Sequence, residues 1–536
     1  MPMKPNMPTL IPALLCMLAL SCSQQKEKPT EVPEQTTEKA PVLFSEGYQP
    51  PVFTATDRMQ KLQGLASEIE DIYKKAAVES HYPGIVWGVV MDGQLVLSGA
   101  DGVVNLESKS PVTTRSLFRI ASMSKSFTAM AILKLQEEGK LRIDDPAYQY
   151  VPEMKDLKYL TQDAPVITIR NLLTMTAGFP EDNPWGDRQL DDTNEELIEV
   201  IRQGVSFSNV PSFTYEYSNL GYALLGNIVG RVSGMPYQKY ITQNILLPLG
   251  LESTRWEYEG TPDSLLALGY RWEDEQWKPE PYLHDGSYGA MGGLITSMDD
   301  FHKYVAFHLS AWPPKNGPEE GPVSRATLRA MQTMNNPSVL SGSKNYEGET
   351  CPSVYGYGFG LRVSKNCEGL YQAGHSGGLP GFGSNYVFFP ECGIGIMSFD
   401  NRTYGGTTSI NNKVADLLGR NGLLEPRVLP VSEILEKRKK EVMKLITTWD
   451  GALEKEILAE NFYPDKSREH RRRAIDEVFE RAGEIGEVGP LVPLNQLRGT
   501  FRMRGENGDV AVFFTLTPEA MPKVQRLDVW FEERTE

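Results

Sequence analysis

The chain reads as an α+β protein, with an antiparallel sheet flanked by helices, a helical lobe beside it, and a small α+β piece at its C-terminal end. Three observations predict this. The runs Ile85–Met91 and Gln94–Ser98 flank Asp92-Gly93, residues suited to the left-handed backbone of a two-residue hairpin, so the sheet begins antiparallel. Strand-like runs return only late, at Tyr355–Val363, Tyr386–Phe389 and Gly393–Phe399. One sheet therefore draws its strands from both ends of a region spanning about 45–424, with the middle inserted as a lobe. At 536 residues the chain also exceeds one ordinary core, and Pro426 and Pro430 mark a linker at 425–431.

The elements follow in order. Apolar residues at Leu62, Leu65, Ile69, Ile72 and Ala76 predict a helix over Leu62–Glu79, ended by Pro83-Gly84. A helix from Ser122 to Glu138 ends at Gly139. From about Asp145 to Thr254 short helices alternate with loops, and Thr254–Tyr288 is rich in charge and turns. Met298–Phe307 is an amphipathic helix, and Ile410–Leu418 closes the first domain. The second domain, 432–536, is expected to hold helices at Ser432–Thr448 and Arg472–Ala482 and strands at Gln496–Met503, Val510–Leu516 and Arg526–Phe531. Leu527, Val529 and Phe531 alternate with polar neighbours, as in a half-buried strand. Gly505–Gly508 supplies a turn. No internal repeat and no chemistry stand out there.

The first residues have a separate task. Lys4 precedes an apolar run, Leu10–Leu20, too short to span a bilayer but of signal-peptide length. Residues 1–21 are read as that signal. Ser21-Cys22 resembles a bacterial lipobox, which makes Cys22 the lipidation candidate; an exported soluble protein cut near Ser21 is the alternative. Residues 22–44 carry too little apolar content to offset ordering entropy and read as a tether behind a lipid anchor. The expected location is thus the bacterial cell envelope, in the periplasm or at the outer membrane.

A formal net charge of −16 argues against nucleic-acid binding, which needs clustered positive charge. The basic run Arg468–Arg473 is interrupted by Glu469 and His470 and reads as a solvated helix face. Beyond the leader, Cys351, Cys367 and Cys392 remain. An oxidising compartment permits a bridge, and Cys351 and Cys367 flank a hairpin region, but three thiols leave the pairing open. No cysteine–histidine spacing points to zinc, and no cofactor is implied.

Three short fragments carry chemistry. In Ser122-Met-Ser-Lys125, positions i and i+3 share a helix face, so the Lys125 amine can reach the Ser122 hydroxyl. A serine needs such a base, and a lysine serves if burial depresses its pKa. In Tyr217-Ser-Asn219, a tyrosine existing partly as phenolate could relay a proton, and Asn219 could hold the amine through its amide oxygen. In His375-Ser-Gly377, placed between strands, a glycine-rich edge lets a substrate backbone approach. The backbone N–H groups of Gly378 and Ser122 could then form an oxyanion hole. Singly, each fragment also fits an ordinary helix, turn or hairpin.

Their order matters more. Ser-x-x-Lys, then Tyr-x-Asn, then Lys/His-x-Gly resembles the ordered motif set of the serine β-lactamase and penicillin-binding-protein family, including class C β-lactamases, D-aminopeptidases and esterases. Glu137–Pro146, Ile167–Gly178 and Gly289–Leu294 also look like family segments, and the resemblance covers about 45–424. It implies a β-lactamase/transpeptidase-like fold with the active site between sheet and lobe. It also implies an acyl-enzyme serine hydrolase with Ser122 as nucleophile, Lys125 as base, Tyr217 as relay and Asn219 as orienter. His375 and Gly377 would line the substrate edge. The expected substrate is an amide, a peptide (one with D-amino acids included) or an ester. One position departs: penicillin-recognising members generally carry lysine where His375 stands, which weakens the case for substrates with a free carboxylate. A genuine β-lactamase or DD-carboxypeptidase stays as an alternative. The C-terminal piece resembles accessory α+β domains of bacterial members.

Two rivals complete the reading. Gly374-His-Ser-Gly-Gly378 matches the nucleophile elbow of α/β-hydrolases, which would make Ser376 the nucleophile. A non-catalytic binding module of the same fold is the other.

Overall fold

The computed structural model describes residues 42–345 and 348–534. The leader and Cys22 lie outside the described residues. Residues 47–536 form one compact unit. Among the described residues no helix is long and apolar enough to cross a membrane.

The main sheet has eight antiparallel strands. In chain order β1 is Gly84–Met91 and β2 Gln94–Gly102; the two-residue strands β3, Phe118–Arg119, and β6, Ile295–Thr296, pair apart from it. A small hairpin, β4 (Tyr270–Glu273) and β5 (Gln276–Pro279), also stands apart. The others are β7 (Asn336–Ser341), β8 (Ser353–Tyr357), β9 (Arg362–Asn366), β10 (Tyr371–Leu379), β11 (Phe382–Phe389) and β12 (Ile394–Asp400). Their spatial order is β2-β1-β12-β11-β10-β9-β8-β7. The late strands therefore insert beside β1, and the sheet closes only when both ends of the region meet.

The centre of this sheet is apolar on both faces, which explains its continuous hydrophobic runs. In β1, Val86 and Val90 face one core while Ile85, Trp87, Val89 and Met91 face another. Met397 and Phe399 of β12 join the first core, and Ile394 and Ile396 the second. The helices Arg58–Gly64, Ala66–Glu79 and Thr407–Arg420 cover the second face; Lys125–Glu137, Asn219–Ser233 and Met298–Ser310 pack on the first. At the hairpin, Asp92 and Gly93 both take positive φ, 51° and 85°. The third core draws only on residues 435–527. There the helices Glu433–Thr448, Gly451–Ile457 and Arg468–Ala482 back a sheet of β13 (Ile485–Val488), β14 (Val492–Asn495), β15 (Arg498–Gly505), β16 (Asp509–Leu516) and β17 (Val524–Glu532). The basic run sits on the last of these helices, where Arg468 pairs with Glu454.

Four expectations change. The Leu62–Glu79 helix is broken at Leu65, after Gly64 ends its first segment. The Tyr355–Val363 strand is two strands joined by a turn at Gly360, where φ is 72° and a Cβ would lie 2.7 Å from the Ser126 Cα. The third motif is not between strands but inside β10. The Ser122–Glu138 helix starts as a 3-10 turn, Ala121–Ser124, before the α-helix Lys125–Glu137. Cys351 is bonded to Cys367, tying the entry of β8 to the exit of β9, and Cys392 is free and buried.

Asp400, at the end of β12, is fully buried, with one oxygen accepting from the Arg402 N–H at 2.9 Å. A Cβ at Gly405 would lie 2.1 Å from that carboxyl, so glycine makes its room. Burial pushes its pKa up to about 7. The folded state thus holds a proton that the unfolded chain releases near pH 4. The resulting stabilisation is complete below that pH and is lost as pH rises through 7. Asp400→Asn should flatten this slope: its Tm, compared by calorimetry with the unsubstituted protein, should gain about 2–4 °C between pH 5 and 8. Equal slopes would contradict the buried proton.

Candidate active site

The 3-10 turn is where the chemistry starts. Its three-residue repeat eclipses positions i and i+3, which sets Lys125 beside Ser122. Lys125 Nζ donates to Ser122 Oγ at 3.0 Å, to Asn219 Oδ1 at 2.7 Å and to the Met291 carbonyl at 3.0 Å. The backbone entering this turn is strained, with Ala121 at φ 50°. Neighbouring serines hold it. Ser124 Oγ donates to the Ala121 carbonyl at 2.8 Å and accepts from the Leu294 N–H, while Ser384 Oγ donates to the Ile120 carbonyl at 2.7 Å.

Lys125 has no exposed surface, and burial pulls its pKa down to about 7. The carboxylates of Asp187, Asp182 and Glu181 oppose that fall, and the Arg362 guanidinium adds to it. A buried amine of this kind is neutral for a large part of the time at pH 7, as a general base must be.

Asn219 is the first residue of the helix Asn219–Ser233. Its own N–H and that of Leu220 donate to the Asp182 carboxylate at 2.7 and 2.8 Å. That carboxylate satisfies helix-end donors that would otherwise be orphaned. The Asn219 side chain donates to Asn183 Oδ1 at 2.7 Å, which fixes its oxygen toward Lys125.

Tyr217 lies over the pair, with Lys125 Nζ 4.9 Å from its ring centre and its hydroxyl in hydrogen-bonding reach of Ser122. The phenolate expectation is corrected. Burial raises the Tyr217 pKa, and the lowering influences of Arg362 and Ser122 do not overcome it, so the resting group is a neutral phenol.

β9 pairs with β10 only over Tyr371–Gly374, so among the described residues 375–379 of β10 have a strand partner on the β11 side alone. A Cβ at Gly377 would meet the Ile120 carbonyl at 2.3 Å and the Ala121 Cβ at 2.9 Å. Glycine therefore lets this open edge lie against the turn that carries Ser122. Gly378 follows on the same edge. The His375 ring is buried and lines one cavity with Arg362 and Ser376. Its Nδ1–H donates to the Ser376 carbonyl at 2.6 Å, so its Nε2 accepts from Tyr357 at 2.9 Å. Burial, then the charges of Arg362 and Lys125, push its pKa well down, and it is neutral.

Arg362 escaped the sequence reading. It is exposed by surface area although Tyr215, Tyr217 and Tyr357 crowd its guanidinium, which lies 5.2 Å from the Tyr217 ring centre. It has no hydrogen-bonding or ion-pair partner among the described residues. With Ser376, Gln372, Asn385 and Tyr215 it lines a cavity of about 220 Å³. Ser122 and Lys125 do not line that cavity. Asp182, Asp187 and Arg362 sit at no diagnostic spacing; the acidic cluster Glu181-Asp-Asn-Pro-Trp-Gly-Asp187 hinted at the two aspartates, and nothing hinted at Arg362. One group of described residues could hold a cation, Glu257, Glu259 and His284. Glu257 is already engaged there by His284 and by the Asp285 N–H.

Ser376 cannot be an elbow nucleophile in this fold, because it stands in mid-strand with extended neighbours and no helix after it. A sheet with helices on both faces, a helical lobe, and a Ser–Lys–Tyr–Asn constellation define the serine β-lactamase and penicillin-binding-protein class. The family model described as Beta-lactamase matches residues 60–420, and the chain belongs to that family. It is 30% identical over 339 residues to "Protein flp" of Staphylococcus aureus strain MRSA252, covering 62% of each chain. It is 27% identical over 344 residues to "Beta-lactamase-like protein 2" of Dictyostelium discoideum, covering 63% of this chain and 59% of that one. The chain thus spans about 62% of the length of the curated relatives it matches first. In fold it is similar to the octameric penicillin-binding protein homologue of Pyrococcus abyssi, with a TM-score of 0.56 at 23% identity, covering 87% of this chain and 98% of the other. A penicillin-binding protein of Bacillus halodurans gives a TM-score of 0.52 at 21% identity, covering 64% and 99%.

The buried amine gives a direct test. Nuclear magnetic resonance of lysine-labelled protein should show one side chain titrating near pH 7, and that signal should vanish in Lys125→Met. Lysines that all titrate above pH 9 would contradict the site's electrostatics.

Proposed function

We propose that this chain is a serine hydrolase that works through an acyl-enzyme at Ser122. The observation that carries the reading is the Lys125 amine, buried, lowered to about 7 and 3.0 Å from the Ser122 hydroxyl. In this reading Lys125 takes the Ser122 proton as the oxygen attacks a carbonyl carbon. The amine becomes an ammonium, held by Asn219 and the Met291 carbonyl. The neutral Tyr217 phenol passes a proton to the leaving group and recovers one from Lys125, so the relay closes without a resting phenolate. The N–H groups of Ser122 and Gly378 receive the oxyanion. Water then attacks the ester along the reverse path.

The substrate is an amide, peptide or ester, and Arg362 favours one that carries a carboxylate. His375 is neutral, so it does not replace the charge of the family's usual lysine. Arg362, exposed beside Tyr217 and without a partner among the described residues, supplies a cation instead, with the fork geometry that suits a carboxylate. This restores weight to the carboxypeptidase or β-lactamase alternative. The leader reading adds the place of action: a lipid on Cys22 would hold the site at the cell envelope.

Intact-mass analysis after incubation with a fluorophosphonate should show one adduct on the unsubstituted protein and on Ser376→Ala, and none on Ser122→Ala. Adduct formation on Ser122→Ala would sink the assignment. With paired activated esters differing by one carboxylate, Arg362→Gln should raise KM for the charged ester about 10–100-fold and leave the neutral one within a few-fold. Equal changes for both esters would remove the anchor role.

A further inference from the structure

Asp187 lies on the short turn Gly186–Arg188 of the lobe and is almost fully buried. Its Oδ2 accepts from the Tyr404 hydroxyl at 3.1 Å, and its Oδ1 has no protein partner among the described residues. Burying a carboxylate with so few donors is unfavourable, and in folded proteins such groups concentrate where chemistry uses them. Next to it, Gly186 is pressed on Asn219, where a Cβ would lie 2.7 Å from the Asn219 Cβ.

Tyr404 belongs to the sheet side, in the loop after β12. Its N–H donates to the Leu379 carbonyl at the end of β10, and a Cβ on Gly378 would come within 2.9 Å of its ring. Its backbone is left-handed, φ 51°, and two glycines follow it. The loop that presents it is fixed from below by Asp400, and by Thr403, whose Oγ accepts from the Gly381 N–H at 2.8 Å and donates to the Tyr270 carbonyl at 3.1 Å. The contacts therefore run from the Gly378 edge through Tyr404, Asp187 and Gly186 to Asn219, and from Asn219 to the Lys125 amine.

We propose that the Asp187–Tyr404 hydrogen bond is a clasp across the cleft that holds the Gly378 edge in register with the Asn219–Lys125 side, so both are positioning residues for acyl transfer. The clasp rests on the hydrolase reading. Acyl transfer needs the oxyanion donors and the base held within a fraction of an ångström, and one hydrogen bond joins the two elements that carry them. Asp187 has a second influence through charge. The charged groups around Lys125 are Asp187, Asp182 and Glu181, which favour its ammonium, and Arg362, which opposes it, with the Tyr217 and Tyr222 rings alongside. Burial raises the Asp187 pKa and Asp182 adds to that, while Lys125, Tyr404 and Arg188 favour its charged form. Removing the Asp187 charge lets Lys125 lose its proton at lower pH.

The full chain, Tyr404→Phe and Asp187→Asn would each be assayed with an activated ester, reading kcat/KM for acylation against pH and confirming the Ser122 adduct by mass. Tyr404→Phe keeps the half-exposed ring and loses one oxygen, so it tests the clasp even if Asp187→Asn fails to fold. The expected result is acylation slowed about tenfold in Tyr404→Phe, with the acidic limb in place and the unfolding midpoint unchanged. In Asp187→Asn the same slowing should come with a limb moved downward by about half to one pH unit. Acylation of the unsubstituted protein together with an unaltered rate in Tyr404→Phe would overturn the clasp alone. Failure of the unsubstituted protein to acylate at Ser122 would overturn the hydrolase reading and the clasp with it.

Discussion

One buried amine sets the terms for everything around it. Taking the Lys125 ammonium out of water is costly, and the protein answers with three acceptors and nearby acidic groups. The balance leaves the group near neutrality in charge at physiological pH, neither a fixed cation nor a permanently neutral base. Each acceptor comes from a different part of the chain: Ser122 from its own turn, Asn219 from the lobe, and Met291 from the short helix Gly289–Gly292. The site can exist only when these parts are packed together.

That packing explains several residues that carry no chemistry. Asp182 is spent on a helix end, but through that end it holds the asparagine that holds the lysine. Ser124 and Ser384 tie down the strained turn from both sides. Gly360 and Gly377 let two strand segments approach the Ser122–Lys125 segment more closely than any side chain would permit. Tyr217, Tyr222 and Tyr357 beside the site are buried, and burial raises their pKa values, so they are neutral.

The departure in the third motif illustrates why charge and position must be read together. In sequence, His375 stood where penicillin-recognising members generally carry lysine, which weakened the case for substrates with a free carboxylate. In the fold its ring is enclosed, accepts from Tyr357 and donates to a carbonyl, a set of partners that fixes the neutral tautomer. Arg362, on the neighbouring strand, places a cation beside it in the same cavity. The two side chains line one cavity, the histidine neutral and the arginine charged.

The sequence alone determined what depends on local contacts. The hairpin at Asp92-Gly93, the Ser122–Lys125 spacing, the Tyr217–Asn219 fragment and the alternation in Arg526–Phe531 are visible because neighbours in the chain are neighbours in space. Family and fold class were legible for that reason, since three fragments and their order carried them. The break at Leu65, the split between β8 and β9, the Cys351–Cys367 pairing, the acidic residues behind Asn219 and the position of Arg362 were not. Each is set by partners far along the chain: Arg362 meets Tyr217, and Asp187 meets Tyr404, 217 residues away. A side chain's protonation and orientation follow from burial and from which groups surround it, and only the closed sheet and lobe bring those groups together.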